Sequence, residues 1–271
     1  MSPTELVKML ELEPVAPGVY HGRNTQSPRG VIFGGQLLAQ SIAAAALSNP
    51  EMQIKSMHTM FLRGGRLDEL LVLEADRLHV GRTFGSVEVS IRQGDRLCTR
   101  SLVLLHQPDP DFISHHDEAP DRSPPVGDPV SDTALRGWDV RIEEGADIPD
   151  PSAIGPPDLC VWSRFTNVPP EPWISQALLA YASDGFLIGT AMRPHVGVGQ
   201  ALAHVSIATS VITQTLTFHQ PFDAGNWLLA AHHSPYAGQG RSFGRADVFT
   251  ADGNLVASYS QENMVRGMTD T

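Results

Sequence analysis

The sequence predicts an α+β fold in which two antiparallel sheets are each wrapped around one central apolar helix. Two stretches, near residues 36–47 and 174–192, have helical patterns with apolar residues on every face, and such a helix is normally buried. Each stretch is followed by a series of strand patterns separated by glycine-containing turns. Three short motifs of the first half also recur in the second half in the same order.

The composition is typical of a folded chain and argues against a nucleic-acid partner. The 271 residues are 41% hydrophobic and 18% charged, with a net charge of −11, whereas phosphate binding needs clustered Lys and Arg. The two cysteines, Cys98 and Cys160, lack metal-ligand spacing and are too few for a disulfide framework. No signal-peptide core and no apolar run of about 18 residues is found, so we expect a cytoplasmic protein without a membrane span. We also expect no metal and no cofactor.

The first half contains one apolar helix followed by strands. A short amphipathic helix at residues 4–13 and a strand at 19–25 precede the segment GVIFGGQLLAQSIAAAALS, in which the helix starts near Gln36. Gly34 and Gly35 allow a close backbone approach and leave helix N–H groups that can bind a polar oxygen. Strand patterns follow at residues 52–63, 69–81, 82–93 and 95–107, which predicts an antiparallel meander.

The pattern is repeated after a long irregular segment. From about residue 108 to 157 periodicity is lost and proline and aspartate are dense, which indicates a connection between two units. We therefore divide the chain into an N-terminal unit (1–118), a linker (119–158) and a C-terminal unit (159–271). The predicted elements of the C-terminal unit are a strand at 161–168, the apolar helix at 174–192, and strands at 205–222, 227–238, 241–251 and 253–267.

Matching motifs indicate that the two units arose by duplication. Three pairs recur with nearly constant offsets of 157, 159 and 158 residues: FLR at 61–63 with FHQ at 218–220, RTFG at 82–85 with RSFG at 241–244, and Leu97 with Leu255. Ordered matches at a fixed spacing are typical of an internal repeat. A sheet curled around one apolar helix is the hotdog arrangement, so the sequence predicts a double hotdog.

Asp184 lies in the middle of the second apolar helix, whereas the first helix has no acidic residue. Burying an ionised carboxylate without a partner is costly, so Asp184 is either a capped or paired structural residue or a catalytic carboxylate in a pocket. In the last strand, alternation places Gln261 and Asn263 on one face and Glu262 on the other. These side chains are either a polar strand end or part of a site.

The segments quoted below resemble the acyl-CoA thioesterase II family, the double-hotdog thioesterases of bacteria and peroxisomes. They extend from about residue 30 to 266 and comprise GVIFGGQLLAQ, MHTMFLRGG, GRTFGSVEVSIRQ, YASD, FHQPF and DGNLVASYSQENMVR. In this family an Asp, a Ser or Thr, and a Gln hold the hydrolytic water. The resemblance assigns the Asp to Asp184 and the Gln to Gln261, and implies an acyl-CoA substrate and a homodimer or larger assembly.

The resemblance leaves the hydroxyl residue open. The family usually has S/T-L/I-D-H-S/T before W-F-H, whereas this chain has V-I-T-Q-T before T-F-H. Ungapped counting places Val211 at the hydroxyl position, and Thr213 stands where the family has its second Asp. Either a bulge restores Thr209, or Thr213 takes the role, or the hydroxyl is absent; we favour Thr209. An unbroken strand would place Thr209, Thr213, Thr215 and Thr217 on one face with Val211.

The expected chemistry is direct attack of water on the thioester, because the chain has no G-x-S-x-G motif for a nucleophilic serine. Asp184 would accept a proton from the water that Gln261 and a threonine direct. The helix start at Gly34, Gly35 and Gln36 would contact the substrate and stabilise the oxyanion.

Two further residues are candidates for substrate binding, namely His58 on the first long strand and Arg82 near a turn. Arg82 is a candidate because coenzyme A carries phosphates and the protein as a whole is acidic. The acyl chain would lie between helix and sheet, where the small residues at 43–46 and 177–182 leave room.

Two other functions are compatible with this fold. A hydratase or dehydratase would need a His and an acid in one helix–loop signature, which is not found around Asp184. A non-catalytic acyl-CoA-binding protein would be consistent with the altered VITQT segment. Release of free thiol from acyl-CoAs distinguishes the hydrolase from both.

Overall fold

The computed structural model describes residues 3–25, 30–126 and 137–268. In these ranges the helices are α1 (Pro3–Lys8), α2 (Gly34–Ser48), α3 (Pro172–Ser183) and α4 (Leu187–Met192). The strands of the first half are β1 (Glu13–Ala16), β2 (Val19–Gly22), β3 (Gln53–Phe61), β4 (Leu71–Val80), β5 (Phe84–Gln93) and β6 (Arg96–His106). Those of the second half are β7 (Trp138–Ile142), β8 (Asp158–Phe165), β9 (Ile207–Phe218), β10 (Leu228–Gly238), β11 (Arg241–Thr250) and β12 (Leu255–Gly267).

The strands form one continuous sheet rather than the two separate sheets that the sequence predicted. The order is β1-β2-β4-β5-β6-β3-β9-β12-β11-β10-β8-β7, and neighbouring strands are antiparallel. The two halves join where β3 pairs with β9, with His58 opposite Thr215 and Thr59 opposite Gln214. The sequence could not show this join, because alternation defines strands and their faces but not which edges meet.

The strand order is symmetric about this junction, with five strands of each half flanked by a short outer strand. The four long strands predicted for each meander are present within a few residues of their expected ends. Strand β7 lies inside the predicted linker and pairs with β8, so part of that segment extends the sheet. The short strand β1 was also missed, and helix α1 ends before the predicted residue 13.

The two apolar helices are buried, as their patterns predicted. Helix α2 contacts strands β3 to β6 on one side and helix α3 on the other. The alanines Ala43, Ala44, Ala177 and Ala180 are all 0% exposed, so these parts of the two helices are packed in the interior. In the described part of the chain, no helix has both the length and the apolar character needed to span a bilayer.

The predicted single helix at 174–192 is wrong, since the chain forms two helices separated by a short break. Helix α3 ends at Ser183, Asp184 is its C-cap, and α4 begins at Leu187. The amide of Gly185 donates to Ala182 O at 3.1 Å, which closes the last turn. Aspartate and glycine are poor residues for a helix interior, so the Ser-Asp-Gly sequence ends the helix. Asp184 therefore lies at a helix end, where its side chain can leave the helix surface.

Candidate active site

Asp184 lies where the C-terminal end of α3 meets the N-terminal end of α2. The Gly35 amide donates a hydrogen bond to Asp184 Oδ2 at 2.9 Å. The N-terminus of a helix has a partial positive charge, so this position favours a carboxylate. Asp184 belongs to the second half and the amide to the first, so the site is formed by both halves.

Close approach of the two helices requires glycine at the start of α2. A Cβ atom on Gly35 would lie 2.3 Å from the Tyr181 carbonyl oxygen, and one on Gly34 would lie 2.8 Å from Asp184 Oδ2. The paired glycines thus serve a close backbone approach, as predicted. The Gly35 N–H, which we expected at the substrate oxyanion, instead holds the carboxylate of Asp184.

Aromatic side chains surround the last turn of α3. Tyr181 is buried and makes edge-to-face contacts with Phe33 at 5.0 Å and with Trp138 at 5.8 Å between ring centroids. Burial raises the pKa of Tyr181, and the negative charge of Asp184 raises it further. The Tyr181 hydroxyl therefore stays protonated beside the carboxylate. Asp184 as a residue is half-buried at the edge of this apolar cluster, and its Oδ1 atom is buried.

Gln261 on β12 is buried and reaches the residue next to Asp184. Its Nε2 donates to the backbone oxygen of Ser183 at 3.2 Å and to Gln214 Oε1 at 2.6 Å. Gln214 Nε2 donates in turn to Ser183 Oγ, and Ser183 Oγ donates to Ala180 O at 2.8 Å. As alternation predicted, Gln261 and Asn263 are buried whereas Glu262 is exposed.

A bulge in β9 decides which threonines face the interior. Thr213 pairs with Glu262 and Val211 pairs with Asn263, so Ile212 has no partner in β12. Because Asn263 is buried and Glu262 is exposed, Val211 shares the inner face and Thr213 lies on the outer face. The expectation that Thr213 shares a face with Val211 is therefore wrong, because the bulge shifts the alternation by one residue.

Neither candidate threonine is placed beside Gln261. Thr209 is buried on the inner face, with its Oγ1 3.5 Å from His204 Nε2. It pairs with Val265, four residues from Gln261 along β12, which corresponds to about 13 Å of strand. Val211 holds the intermediate inner position. The register therefore places neither Thr209 nor Thr213 next to Gln261, and the identity of the hydroxyl residue stays a prediction.

The remaining substrate-binding candidates lie apart from Asp184 or are already bonded within the protein. Gln36 is buried, and its Oε1 accepts hydrogen bonds from the amide and the hydroxyl of Thr25 at 2.9 and 2.7 Å. His58 is exposed on the outer face of the sheet, where its Nδ1 lies 2.8 Å from Thr215 Oγ1. Their contacts indicate structural roles in the chain segments that they join.

Arg82 is exposed in the turn before β5 and belongs to the opposite end of α2. Gly85, near the start of β5, is close to Met52, since a Cβ atom added to Gly85 would contact the Met52 side chain. The Met52 amide donates to the oxygen of Asn49, which is the C-cap of α2. The turn before β5 therefore lies near the C-terminal end of α2. A 15-residue helix is about 22 Å long, so Arg82 lies roughly that far from Gly34. The structure does not bring Arg82 to Asp184.

A small cavity lies in the second half, behind the last turn of α3. Leu179 and Ala182 in its wall belong to segment 177–182, one of the two where the sequence suggested space. Tyr259 lines this cavity, and its Oη lies 2.6 Å from Nε2 of the buried His232. Burial lowers the pKa of His232 to about 4. The residues lining it are Val161, Ser163, Leu179, Ala182, Ser183, Phe186, Leu228, Ala230, Val248 and Tyr259.

The sequence analysis missed two polar residues of this region, Ser183 and Gln214. Both are buried and connect Gln261 to the end of α3. Gln214 stands among threonines that the unbroken strand placed on the face of Val211, so Gln214 was expected on the opposite face. Its only signal was that it has the same parity as the apolar Leu216 and Phe218, which are buried.

Models of a known family match both halves of the chain. The model described as an acyl-CoA thioesterase N-terminal domain matches residues 23–106, and the model described as an acyl-CoA thioesterase C-terminal domain matches residues 114–265. The chain is 27% identical to "Acyl-CoA thioesterase 2" of Haemophilus influenzae, with 96% of each protein covered. It is 26% identical to the mouse protein "Acyl-coenzyme A thioesterase 8", with 96% of this chain and 88% of the mouse protein covered.

Solved structures agree in fold. An acyl-CoA thioesterase II from Mycobacterium marinum has a TM-score of 0.81 and 28% identity, covering 98% of this chain and 99% of the other. A protein described as having a hot dog fold, from Alicyclobacillus acidocaldarius, has a TM-score of 0.78 and 19% identity, covering 96% and 97%. Together with the large antiparallel sheet, these similarities show a hotdog fold.

Proposed function

This chain belongs to the acyl-CoA thioesterase family, and from that membership we propose that it hydrolyses acyl-CoA to a free fatty acid and coenzyme A. The observation that favours hydrolysis at Asp184 is the meeting of the C-terminal end of α3 with the N-terminal end of α2. An acid is held on a helix N-terminus, and the amide of Gln261 bonds the adjacent residue. Both groups are the ones that the family resemblance assigned to the water.

In the proposed reaction, Asp184 acts as general base. A water oxygen attacks the thioester carbonyl carbon as one water proton passes to Asp184, and the C–S bond then breaks. The proton returns from Asp184 to the leaving sulfur, which gives free thiol and carboxylic acid. The second O–H group of the water donates a hydrogen bond to Gln261. This bond directs the oxygen lone pair toward the carbonyl carbon. No covalent intermediate on the protein is formed.

We infer that the hotdog fold is present twice, as a double hotdog with α2 and α3 as central helices. The units are residues 1–118 and 159–271, with 119–158 as the connecting segment that contributes β7. The symmetric strand order about β3 and β9 supports this division. We also propose that the protein is cytoplasmic. The family resemblance implies a homodimer or larger assembly, which we propose as well.

Replacement of Asp184 by Asn tests the proposed function. Asparagine keeps an oxygen that can accept the Gly35 N–H, so folding should be retained while the base is lost. We expect thiol release from acyl-CoAs to fall by about 10²- to 10⁴-fold. The measurement is kcat with a thiol-reactive chromophore and a panel of acyl-CoAs of different chain lengths.

Asp252→Asn is a matched control, since Asp252 is exposed in the turn between β11 and β12. It should leave kcat unchanged. Wild-type turnover by the Asp184→Asn protein would rule out Asp184 as base. Tight binding of acyl-CoAs by the wild-type protein without thiol release would favour a binding protein instead.

A further inference from the structure

We propose that Gln214 is a positioning residue that fixes the direction in which the Gln261 amide faces the reacting water. This inference rests on the proposed function, because it concerns the same site. Gln214 was assigned no role by the sequence motifs. It stands at the histidine of the D-H pair in the family pattern, so a glutamine here is a feature of this chain.

The backbone carbonyls of Ser183 and Ala180 determine which atom donates in each hydrogen bond around Gln261. The side-chain atom of Gln261 at 3.2 Å from Ser183 O must be the NH2 group, because a carbonyl oxygen only accepts. The Gln214 atom at 2.6 Å from that nitrogen must then be its oxygen. Gln214 therefore presents its NH2 group to Ser183 Oγ, whose own hydrogen goes to Ala180 O. No other assignment satisfies both carbonyls.

The consequence is that both N–H bonds of the Gln261 amide are used within the protein. Its Oε1 is buried and has no hydrogen-bond donor among the described residues. A buried acceptor is normally satisfied, and a water is the group that the proposed reaction places here. Gln261 thus acts as an acceptor for a water hydrogen. A donor at this place would instead bind the water lone pair that must attack the thioester.

Gln214 maintains this orientation because its Oε1 accepts the hydrogen bond from one N–H group of the Gln261 amide. It is the direct cross-strand partner of Gln261, and both side chains are 1% exposed. Alternation places it on the face opposite to its neighbour Thr213, and the bulge at Ile212 lies between Thr213 and Val211. Without the Gln214 oxygen, the Gln261 amide would keep a single bond to Ser183 O and could rotate about it.

Three variants test the proposal: Gln214→Met, which keeps the side-chain length without polar atoms, Gln214→Glu, which keeps an oxygen for Gln261, and the double variant Gln214→Met/Gln261→Met. We expect Gln214→Met to lower kcat by about 10- to 100-fold, as for a misplaced catalytic group, with KM changed less than about threefold. Gln214→Glu should recover most of kcat. Because Gln214 acts through Gln261, its loss should add nothing further to the effect of Gln261→Met.

Thr59→Val is the control for loss of a buried polar atom in the same row of the sheet. Thr59 lies opposite Gln214 on β3, but its hydroxyl bonds Ser101 Oγ at 2.8 Å and not the site. We expect wild-type kcat from this variant. Thermal unfolding of all variants, measured in parallel, identifies those that have lost the native fold.

The outcomes separate this proposal from the proposed function. If Gln261→Met is slow while Gln214→Met retains wild-type kcat, Gln214 has no positioning role and the hydrolytic site stands. Additive losses in the double variant, or a folded Gln214→Glu protein as slow as Gln214→Met, would also overturn the proposal. If Gln261→Met itself retains wild-type kcat, both the role of Gln261 and the role of Gln214 fail.

Discussion

Replacement of Gly35 by Ala should both destabilise the protein and slow the reaction. The added Cβ atom would lie 2.3 Å from Tyr181 O and 2.5 Å from Cε1 of Phe33. The Tyr181 oxygen belongs to the backbone of α3, so it cannot rotate away, and the two helix ends must separate by about 1 Å to restore ordinary contact. A shift of that size lengthens the 2.9 Å bond between the Gly35 amide and Asp184 beyond hydrogen-bonding range.

The expected magnitude combines three effects. Overpacking a filled site costs about 1–3 kcal/mol, and loss of a hydrogen bond to a charged group costs about 1.5–3 kcal/mol. Alanine in place of glycine in a helix returns about 1 kcal/mol. The free energy of unfolding should therefore fall by about 1.5–5 kcal/mol. Displacement of Asp184 by about 1 Å should lower kcat up to roughly 100-fold.

Urea unfolding and thiol-release kinetics measure the two effects. Gly64→Ala is the matched control, because a Cβ atom at Gly64 would have no atom within 4 Å. This control should change the free energy of unfolding by less than about 0.5 kcal/mol. If Gly35→Ala behaved like Gly64→Ala in both assays, the close contact between α2 and α3 would not hold Asp184.

Three further predictions follow from the placement of single residues. Burial lowers the pKa of His232 from its ordinary value of 6.5 to about 4, so between these pH values the unfolded chain binds a proton that the folded chain does not. Stability should therefore fall as the pH falls from 7 to 5, and His232→Phe should remove about 2 kcal/mol of that fall in urea titrations at the two pH values. Thr209→Val and Thr213→Val should each leave kcat within about threefold of wild type, because the register places neither beside Gln261; a large loss in one would identify the hydroxyl residue. Arg82→Ala should leave KM for acyl-CoA unchanged, since Arg82 lies near the far end of α2, and a raised KM would show that the substrate extends there.

The sequence was sufficient for the elements of the fold because each has a strong local pattern. Helix α2 and the four long strands of each meander were predicted within a few residues. The break at Asp184 was missed because apolar residues continue through residues 186–192 and outweighed the Ser-Asp-Gly signal. The joining of β3 to β9 is a long-range edge pairing, which side-chain alternation does not encode.

The prediction of the site was limited by one extra residue in β9. The sequence indicated Asp184 and Gln261, and the structure brings Gln261 to Ser183, next to Asp184. Ile212 shifts the alternation, so every face assigned across it from an unbroken strand is reversed. Thr213 was therefore assigned to the wrong face, and Gln214 was not considered as an inward-facing residue. No local signal in VITQT marks a bulge, because all five residues fit a strand.

The asymmetry of the two halves explains why the site is at their junction. Helix α2 has no acid, but its N-terminal glycines allow the close approach and supply the amide that holds Asp184. Helix α3 supplies the acid and the carbonyls that orient Gln261. A helix C-terminus repels a carboxylate and a helix N-terminus attracts one, so the contact with α2 is the favourable one for Asp184. In the proposed reaction the two halves are therefore complementary: the first supplies the amide that holds Asp184, and the second supplies Asp184 and Gln261.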